Sequence, residues 1–203
     1  MDGMTETGLR ERRRAQTERE IADAALTLFE EHGVEATTVG QVARAAGVSE
    51  RTFFRYVAVK ELAVFAGDAE IGERIAPMLA DVTGDEPLLP QLEQVWAELL
   101  RGLAEGRDEQ QRRMLRVRRL VRREPALRLA ALRLDEERVG DLVSSLVEST
   151  GRPEPEVRLV VEVGVAVFRT SLDRWADAAE RGEHTDLLAT YTEACVALRR
   201  ATR

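Results

Sequence analysis

The chain has 203 residues and a formal net charge of −7, with 33% charged and 44% hydrophobic residues. The acidic total excludes a protein that coats nucleic acid without selectivity. Aromatic residues make up only 4%, and the commonest residues include Ala, Leu, Glu and Arg, which favour helices. We therefore predict an all-α fold.

The cysteine content and the hydropathy pattern restrict where the protein works. Cys195 is the sole cysteine, which excludes an internal disulfide and indicates a reducing compartment. The polar N-terminus lacks the apolar core of a signal peptide. Arg158 and Glu162 interrupt the longest apolar run, residues 157–168, which argues against a membrane span. We expect a cytoplasmic protein with no membrane partner.

The first predicted elements are a flexible arm at residues 1–16 and a helix that begins at Thr17. The arm carries four arginines, Arg10, Arg12, Arg13 and Arg14. Two interpretations of this arm stay open, a solvated tail and an arm that enters a DNA minor groove. Residues 17–20 have the form of a capping box, and a helically spaced apolar stripe leads from there to Gly33, which ends the helix.

Two short helices follow, and they form a helix-turn-helix pattern. A capping box at Thr38 and Gln41 opens the second helix, and Gly47 suits the left-handed position of the turn after it. Ser49 is the predicted N-cap of a third helix, which continues through Tyr56. Such a pair of helices places its second member in the DNA major groove.

The remainder of the chain predicts longer amphipathic helices. We place them at 60–81, 88–105, 108–123, 126–149, 154–181 and 186–200. The segments between them contain Pro87, Gly106, Pro125, Gly151-Arg152-Pro153 and Gly182. The predicted domains are therefore the arm at 1–16, a helix-turn-helix domain at 17–59, and a larger helical ligand-binding and dimerisation domain at 60–203.

The candidate DNA-binding residues lie on and beside the third helix. Residues 44–60 hold four basic residues and a single acidic one, Glu50, so DNA contact is expected to be local. Val48, Thr52 and Phe53 have inward spacing, which leaves Glu50, Arg51, Phe54 and Arg55 outward. Arginine can pair with guanine and phenylalanine can pack on a thymine methyl, while hydroxyls, phenols and ammonium groups suit phosphates. The predicted set is Thr38, Ser49, Glu50, Arg51, Phe54, Arg55, Tyr56 and Lys60.

Residues 17–60 resemble the DNA-binding domain of TetR-family transcriptional regulators. The matching pieces are residues 21–26, Leu28-Phe29, Gly33, Thr37-Thr38-Val39, Val42-Ala43, residues 46–49, residues 52–56 and Lys60-Glu61. The resemblance implies a homodimer with one head per operator half-site, a C-terminal ligand pocket, and DNA contacts from Thr38, Glu50, Arg51, Phe54, Tyr56 and Lys60. This chain departs from the family's pattern at Val57, where many relatives carry Phe, and at Gly40, where some relatives read a base with a long side chain.

The C-terminal part offers candidates for a ligand pocket. Residues 120–127 resemble actinobacterial regulators with acyl-CoA-like ligand-binding domains. Arginines crowd residues 112–123; they form either a solvated face paired with neighbouring acids or, in part, a site for an anionic ligand. The candidate ligand-binding residues are Trp96, Met114, Arg118, Phe168 and Trp175.

The last two predicted helices indicate a dimer interface. A helix that is apolar over as much of its surface as residues 157–175 has to be covered on two sides. A four-helix bundle, two helices from each subunit, meets this requirement. The predicted interface residues are Val161, Gly164, Val165, Phe168, Leu188, Tyr191 and Cys195.

Together these features predict a ligand-responsive homodimeric repressor that binds a near-palindromic DNA operator and is released by a small-molecule effector. A regulator controlled by a partner protein, without a small-molecule effector, stays open as the alternative. A helical enzyme with an accessory DNA-binding head is disfavoured, because residues 61–203 show no nucleophile–base set and no phosphate loop. His32 and His184 lack neighbouring ligands in sequence, so we expect no metal site and no cofactor.

Overall fold

The structure is a computed structural model of the chain, and it describes residues 3–67, 69–104 and 108–202. Within these residues it contains helices and turns and no strand, so the all-α prediction is confirmed. The helices are α1 (Gly3–His32), α2 (Val39–Ala45), α3 (Glu50–Tyr56), a 3-10 helix (Lys60–Phe65), α4 (Ala69–Ala80), α5 (Leu88–Ala104), α6 (Asp108–Arg123), α7 (Pro125–Thr150), α8 (Glu154–Glu180) and α9 (Leu187–Ala201).

Local signals position the short helices α2 and α3. Thr38 caps α2 through the predicted capping box, in which its hydroxyl accepts from the amide of Gln41 and the Gln41 side chain accepts from the amide of Thr38. Ser49 caps α3 by accepting from the amide of Thr52. Between the helices Gly47 has φ of +68°, a conformation that other residues adopt only with strain.

The start of α1 differs from the prediction. Residues 3–16, predicted as a flexible arm, form the first half of α1, while residues 1 and 2 lie outside the described residues. Thr17 is not an N-cap, since its hydroxyl donates to the carbonyl oxygen of Arg13 one turn earlier. Side-chain pairs four residues apart, Arg14–Glu18 and Gln16–Glu20, support the helix through this region.

The predicted helix at 60–81 is also interrupted. Its first part is the 3-10 helix Lys60–Phe65, and α4 begins at Ala69. Gly67 has φ of +88°, which no α-helix accommodates. Because Ala63 and Val64 are buried and the 3-10 helix packs on α1, tertiary packing sets the direction of the chain here.

The other predicted helices match α5 to α9 to within one residue at each end. Pro125 is the first residue of α7, a position where the missing amide hydrogen costs nothing. Gly151 and Gly182 follow α7 and α8 with φ of +65° and +75°. Gly106, which the sequence placed between two helices, lies outside the described residues.

The chain divides into two compact units. The first comprises residues up to 73 together with 120–132, and the second comprises residues 74–119 and 133–203. The first unit therefore contains the whole predicted helix-turn-helix region at 17–59, and it also includes the end of α6 and the beginning of α7. Each unit has a hydrophobic core.

The core of the first unit is built on α1. The buried face of α1 contributes Ile21, Leu26 and Phe29, all at most 1% exposed. Phe53 of α3 and Val42 of α2 are each 0% exposed. Burying one aliphatic or aromatic side chain contributes about 1.5–3 kcal/mol, so this cluster fixes α2 and α3 against α1.

In the second unit α5, α8 and α9 pack against one another. Their buried apolar residues include Leu92, Leu99, Leu100, Val157, Val161, Trp175, Leu187 and Tyr191. None of the helices in the described part of the chain has the length and apolarity that crossing a membrane requires.

Candidate DNA-binding site and helical core

The outer face of α3 exposes the residues that the sequence assigned to it. Glu50, Arg51 and Arg55 are exposed, and Phe54 has 54% of its surface accessible. Its neighbour Phe53 is 0% exposed and meets the Phe54 ring edge-on, with centroids 5.5 Å apart. The prediction that these adjacent rings point in different directions is therefore confirmed. An exposed aromatic ring between arginines suits contact with base edges.

Arg55 and Tyr56 interact with each other at the end of α3. The Arg55 guanidinium donates to the Tyr56 hydroxyl at 3.1 Å, and its central carbon lies 4.9 Å from the centre of the Tyr56 ring. The guanidinium therefore lies over the ring as a cation–π contact. This arrangement keeps a positive charge at the C-terminal end of α3, where it interacts favourably with the negative end of the helix dipole.

The hydroxyls of Thr38 and Ser49 are used first for capping. Thr38 is exposed, and its Oγ1 lies 3.3 Å from the amide nitrogen of Gln41 and 3.0 Å from Gln41 Oε1. Ser49 Oγ accepts from the amide of Thr52 at 3.1 Å and shares a hydrogen bond with the Thr52 hydroxyl at 2.9 Å. These two residues set where α2 and α3 begin, so any phosphate contact they make is additional to that role.

Lys60 holds the turn between α1 and α2. Its ammonium donates to the carbonyl oxygens of Val34 and Thr37 at 2.7 and 2.8 Å, and to that of Glu35 at 3.4 Å. An ammonium group has three donors, so the phosphate contact predicted for Lys60 would have to displace one of these carbonyls. The structure thus gives Lys60 a role inside the first unit that the sequence did not reveal.

Gly40, the second residue of α2, lies against Glu50. A Cβ atom built on Gly40 would be 2.7 Å from Glu50 Oε1 and 3.6 Å from Glu50 Cδ. Such an approach is closer than Cβ atoms normally show. The carboxylate of Glu50 therefore occupies the space that a side chain at position 40 would need.

Comparison with known proteins agrees with this geometry. The family profile described as "Bacterial regulatory proteins, tetR family" matches residues 21–61. The chain is 34% identical over 179 residues to the HTH-type transcriptional regulator TcmR of Streptomyces glaucescens, an alignment that covers 83% of this chain and 76% of TcmR. The chain belongs to the TetR family of bacterial transcriptional regulators. The predicted resemblance to that family is confirmed.

Two further similarities concern the head and the whole chain. The chain is 49% identical over 49 residues to the putative mycofactocin biosynthesis transcriptional regulator MftR of Mycobacterium tuberculosis. This alignment covers 24% of this chain and 25% of MftR. A structure of the fatty acid degradation regulator FadR from Bacillus halodurans aligns at 20% identity with a TM-score of 0.49, covering 88% of this chain and 92% of FadR.

Two of the five candidate ligand residues form an aromatic contact. Trp96 of α5 and Phe168 of α8 have ring centres 4.9 Å apart. Trp175 is 5% exposed and donates from its indole nitrogen to the carbonyl oxygen of Thr185 at 3.0 Å, so it is fixed within the core. Met114 on α6 is half-buried.

Arg118, the remaining ligand candidate, is paired within the second unit. Its guanidinium donates to Asp173 Oδ1 at 2.8 Å, and Arg119 pairs with Glu180 at 3.5 Å. Both acids belong to α8. These pairs match the interpretation of the arginine run as a face that neighbouring acids neutralise, and an anionic ligand would have to compete with Asp173 for Arg118. No signal in the sequence pointed to Asp173, because it lies 55 residues from its partner.

Most of the predicted dimer residues are covered within the single chain. Val161, Tyr191 and Cys195 are 1–3% exposed, Gly164 is buried and lies under the Trp96 indole, and the Phe168 ring contacts Trp96 and Tyr191. Val165 and Leu188 are half-buried. This stripe of α8 and α9 packs mainly within the single chain, which revises the predicted interface.

An open apolar groove runs along the neighbouring stripe of α8 and α9. It has a volume of about 360 Å³ and is lined by Val163, Ala166, Val167, Thr170, Arg174, Ala194, Ala197 and Leu198. We call these residues the α8/α9 groove. Ala166 and Ala197 are exposed, and Val163, Val167, Ala194 and Leu198 are half-buried. The sequence predicts a second apolar side of α8 that needs cover. The α8/α9 groove is such a side, but its residues differ from those predicted for the dimer interface.

A cluster of titratable groups joins α5 to α9. Glu93 pairs with Arg199, and its Oε1 is buried without a hydrogen-bond partner in the described residues. Tyr191 is 2% exposed, and burial followed by its hydrogen bond to Cys195 raises the pKa of its phenol well above the ordinary value of 10. Burial also raises the pKa of the Cys195 thiol. Both groups are therefore neutral at physiological pH.

Proposed function

We propose that the protein is a homodimeric, ligand-responsive repressor that places α3 of each subunit in the major groove of a near-palindromic operator. The observation that carries this proposal is the outer face of α3, where two arginines flank a Phe54 ring that is 54% exposed. Two recognition helices of such a dimer meet successive major grooves about 34–36 Å apart, or multiples of that distance.

Charge supports DNA contact confined to this face. The whole chain carries −7, whereas residues 44–60 contain four basic residues and one acidic residue. The acidic remainder repels phosphates, so binding depends on the correct orientation of the head. The proposed DNA-contacting residues are Thr38, Ser49, Glu50, Arg51, Phe54, Arg55 and Tyr56, with Lys60 acting mainly through the turn that it holds.

The α8/α9 groove supports a second copy of the chain as the partner. Its lining is apolar apart from Thr170 and Arg174, and Leu159 on the same helix is 66% exposed. Apolar surface of this kind gains free energy when it is covered. A two-fold axis passing beside α8 and α9 would place the groove of one subunit against that of the other.

The proposed effector is a small hydrophobic or anionic molecule such as an acyl-CoA. The likeness of residues 120–127 to regulators of that class and the arginines of α6 support it. An effector releases the operator only if it binds the DNA-free state more tightly than the DNA-bound state, and such coupling typically amounts to about 1–3 kcal/mol.

A binding-shift experiment on the DNA that flanks the gene tests the proposal. The wild-type chain should retard this DNA as a dimer. Arg51→Ala should weaken the specific complex by about five- to 150-fold, since one bidentate base contact contributes about 1–3 kcal/mol. Arg200→Ala, which removes the same charge from an exposed position of α9, is the matched control.

Addition of long-chain acyl-CoAs to the same mixture tests the effector. Release by acyl-CoA supports the ligand-responsive form of the proposal. Specific binding that no tested small molecule changes would favour a regulator controlled by a partner protein, and equal retardation of unrelated DNA would overturn the proposal.

A further inference from the structure

Backbone geometry does not require a glycine at position 40. Gly40 lies within α2 and is absent from the glycines with positive φ. A glycine inside a helix destabilises it relative to alanine, because it loses more conformational freedom on folding. The close approach of Glu50 Oε1, 2.7 Å from where a Cβ would lie, provides a reason for the missing side chain.

Glu50 is the acidic group of the DNA-facing surface. Glu50 is the first residue of α3, and its side chain is exposed. The other exposed side chains of α3 belong to Arg51, Phe54 and Arg55. A carboxylate repels phosphates and accepts hydrogen bonds only. In the major groove it therefore needs an amino group as its partner.

Cytosine offers the best match to this carboxylate. Its N4 amino group is the donor that glutamate and aspartate accept from in the major groove. Adenine also carries an amino group, but the N7 acceptor beside it repels a carboxylate. A carboxylate placed over α2 at the start of α3 therefore selects for cytosine at one base pair.

Resting on the proposed DNA-binding function, we infer that Gly40 and Glu50 form one specificity-determining pair, in which the bare backbone of Gly40 positions the Glu50 carboxylate to read a cytosine. Gly40 acts here as a positioning residue, and Glu50 is the group that contacts the base. Gly40 has no side chain to contact a base, but it contributes to base recognition because it leaves space for the Glu50 carboxylate.

The inference predicts a particular pattern of variants. In Gly40→Ala the new Cβ meets the flexible end of the Glu50 side chain, so the carboxylate moves while the helix is preserved. Preference for cytosine at the affected base pair should fall several-fold, and the melting temperature should be unchanged or higher. Glu50→Gln should reduce the same preference about ten-fold and favour adenine, because glutamine pairs with N6 and N7 of adenine.

A double-mutant comparison separates this coupling from two independent effects. Once Glu50→Ala has removed the carboxylate, adding Gly40→Ala should change no base preference further. Gly140→Ala is the matched control, since Gly140 lies inside α7 and a Cβ there meets nothing within 4 Å. It should leave every base preference as in the wild type.

The experiment is selection from a randomised DNA library with the full-length chain, followed by sequencing of the bound fraction for each variant. The inference would be overturned, while the proposed function stands, if Gly40→Ala left the base preferences unchanged. It would also be overturned if Gly40→Ala changed them equally in the wild type and in Glu50→Ala. Absence of any selected sequence with the wild-type chain would overturn the proposed function, and the inference with it.

Discussion

The ammonium group of Lys60 donates a hydrogen bond to the carbonyl oxygen of Val34 at 2.7 Å, although 26 residues separate them in sequence. The same group donates to the carbonyl oxygen of Thr37 at 2.8 Å. One side chain thus ties the beginning of the 3-10 helix to the turn that leads from α1 into α2. This contact adds a polar constraint to the buried apolar cluster that holds α2 and α3 against α1.

Lys60→Met should lower the free energy of unfolding by about 1–3 kcal/mol, because the part-buried carbonyl oxygens of Val34 and Thr37 each lose the hydrogen bond from the ammonium group. Urea unfolding followed by circular dichroism measures the change. Arg51→Met removes the same charge from an exposed site and should leave the unfolding midpoint unchanged. An unchanged midpoint in Lys60→Met together with weaker DNA binding would instead assign Lys60 to a phosphate contact.

Phe53 and Phe54 should separate stability from DNA binding. Phe53→Ala removes a ring that is 0% exposed and should destabilise the fold by about 3–5 kcal/mol. Phe54→Ala removes a ring that is 54% exposed, so it should weaken operator binding with little change in stability. Melting curves and binding shifts of both variants provide the measurement. A large loss of stability in Phe54→Ala would mean that this ring serves packing.

A charge introduced into the α8/α9 groove should prevent dimer formation. Ala197 lines the groove and is exposed in the single chain, so Ala197→Arg leaves the core intact but buries a charge in a dimer that forms through the groove. Sedimentation or light scattering should show a monomer. Thr192→Arg places the same side chain on another exposed position of α9 and should remain dimeric. Equal masses for the two variants would exclude the groove as the interface.

The ion pair of Arg118 and Asp173 offers a test for an anionic effector. Asp173→Asn frees the guanidinium of its competing carboxylate, so an anionic effector that binds Arg118 should bind several-fold more tightly. Stability should change by less than about 1 kcal/mol, since the pair is partly exposed. Titration calorimetry with acyl-CoA measures the affinity, and Glu180→Gln is the control at the neighbouring Arg119. Weaker binding in Asp173→Asn would remove Arg118 from the anion site.

Burial of Tyr191 should make the fold sensitive to alkaline pH. The pKa of its phenol is raised in the folded chain, first by burial and then by its hydrogen bond to Cys195, so the folded state retains a proton that the unfolded state loses above about pH 10. Stability from this group is complete below that pH and is lost as the pH rises further. Urea unfolding between pH 8 and 11 should show a smaller loss in Tyr191→Phe than in the wild type. Tyr56→Phe, which removes a half-exposed phenol, is the control, and equal slopes in all three proteins would contradict this account.

The helix-turn-helix is predictable from the sequence because its signals are local. Thr38 with Gln41, Ser49 with Thr52, and Gly47 act within a few residues of one another. Backbone hydrogen bonds at helix ends need a nearby side chain or a left-handed residue, whatever the rest of the fold does. The start of α1 is not predictable from such a local signal, because a capping-box pattern at Thr17 does not stop a helix that good helix formers extend towards Gly3.

From the sequence alone one can predict the all-α class, the capped helices α2 and α3, the bounds of α5 to α9 to within one residue, and which side chains of α3 point outward. Packing between distant helices sets which apolar stripe of α8 is buried within the chain, that Asp173 faces Arg118, and that the Glu50 carboxylate lies beside Gly40. Helix periodicity shows that a stripe is apolar, but it does not show which neighbour covers it. That choice depends on contacts between residues far apart in the chain, and these form only when the helices pack.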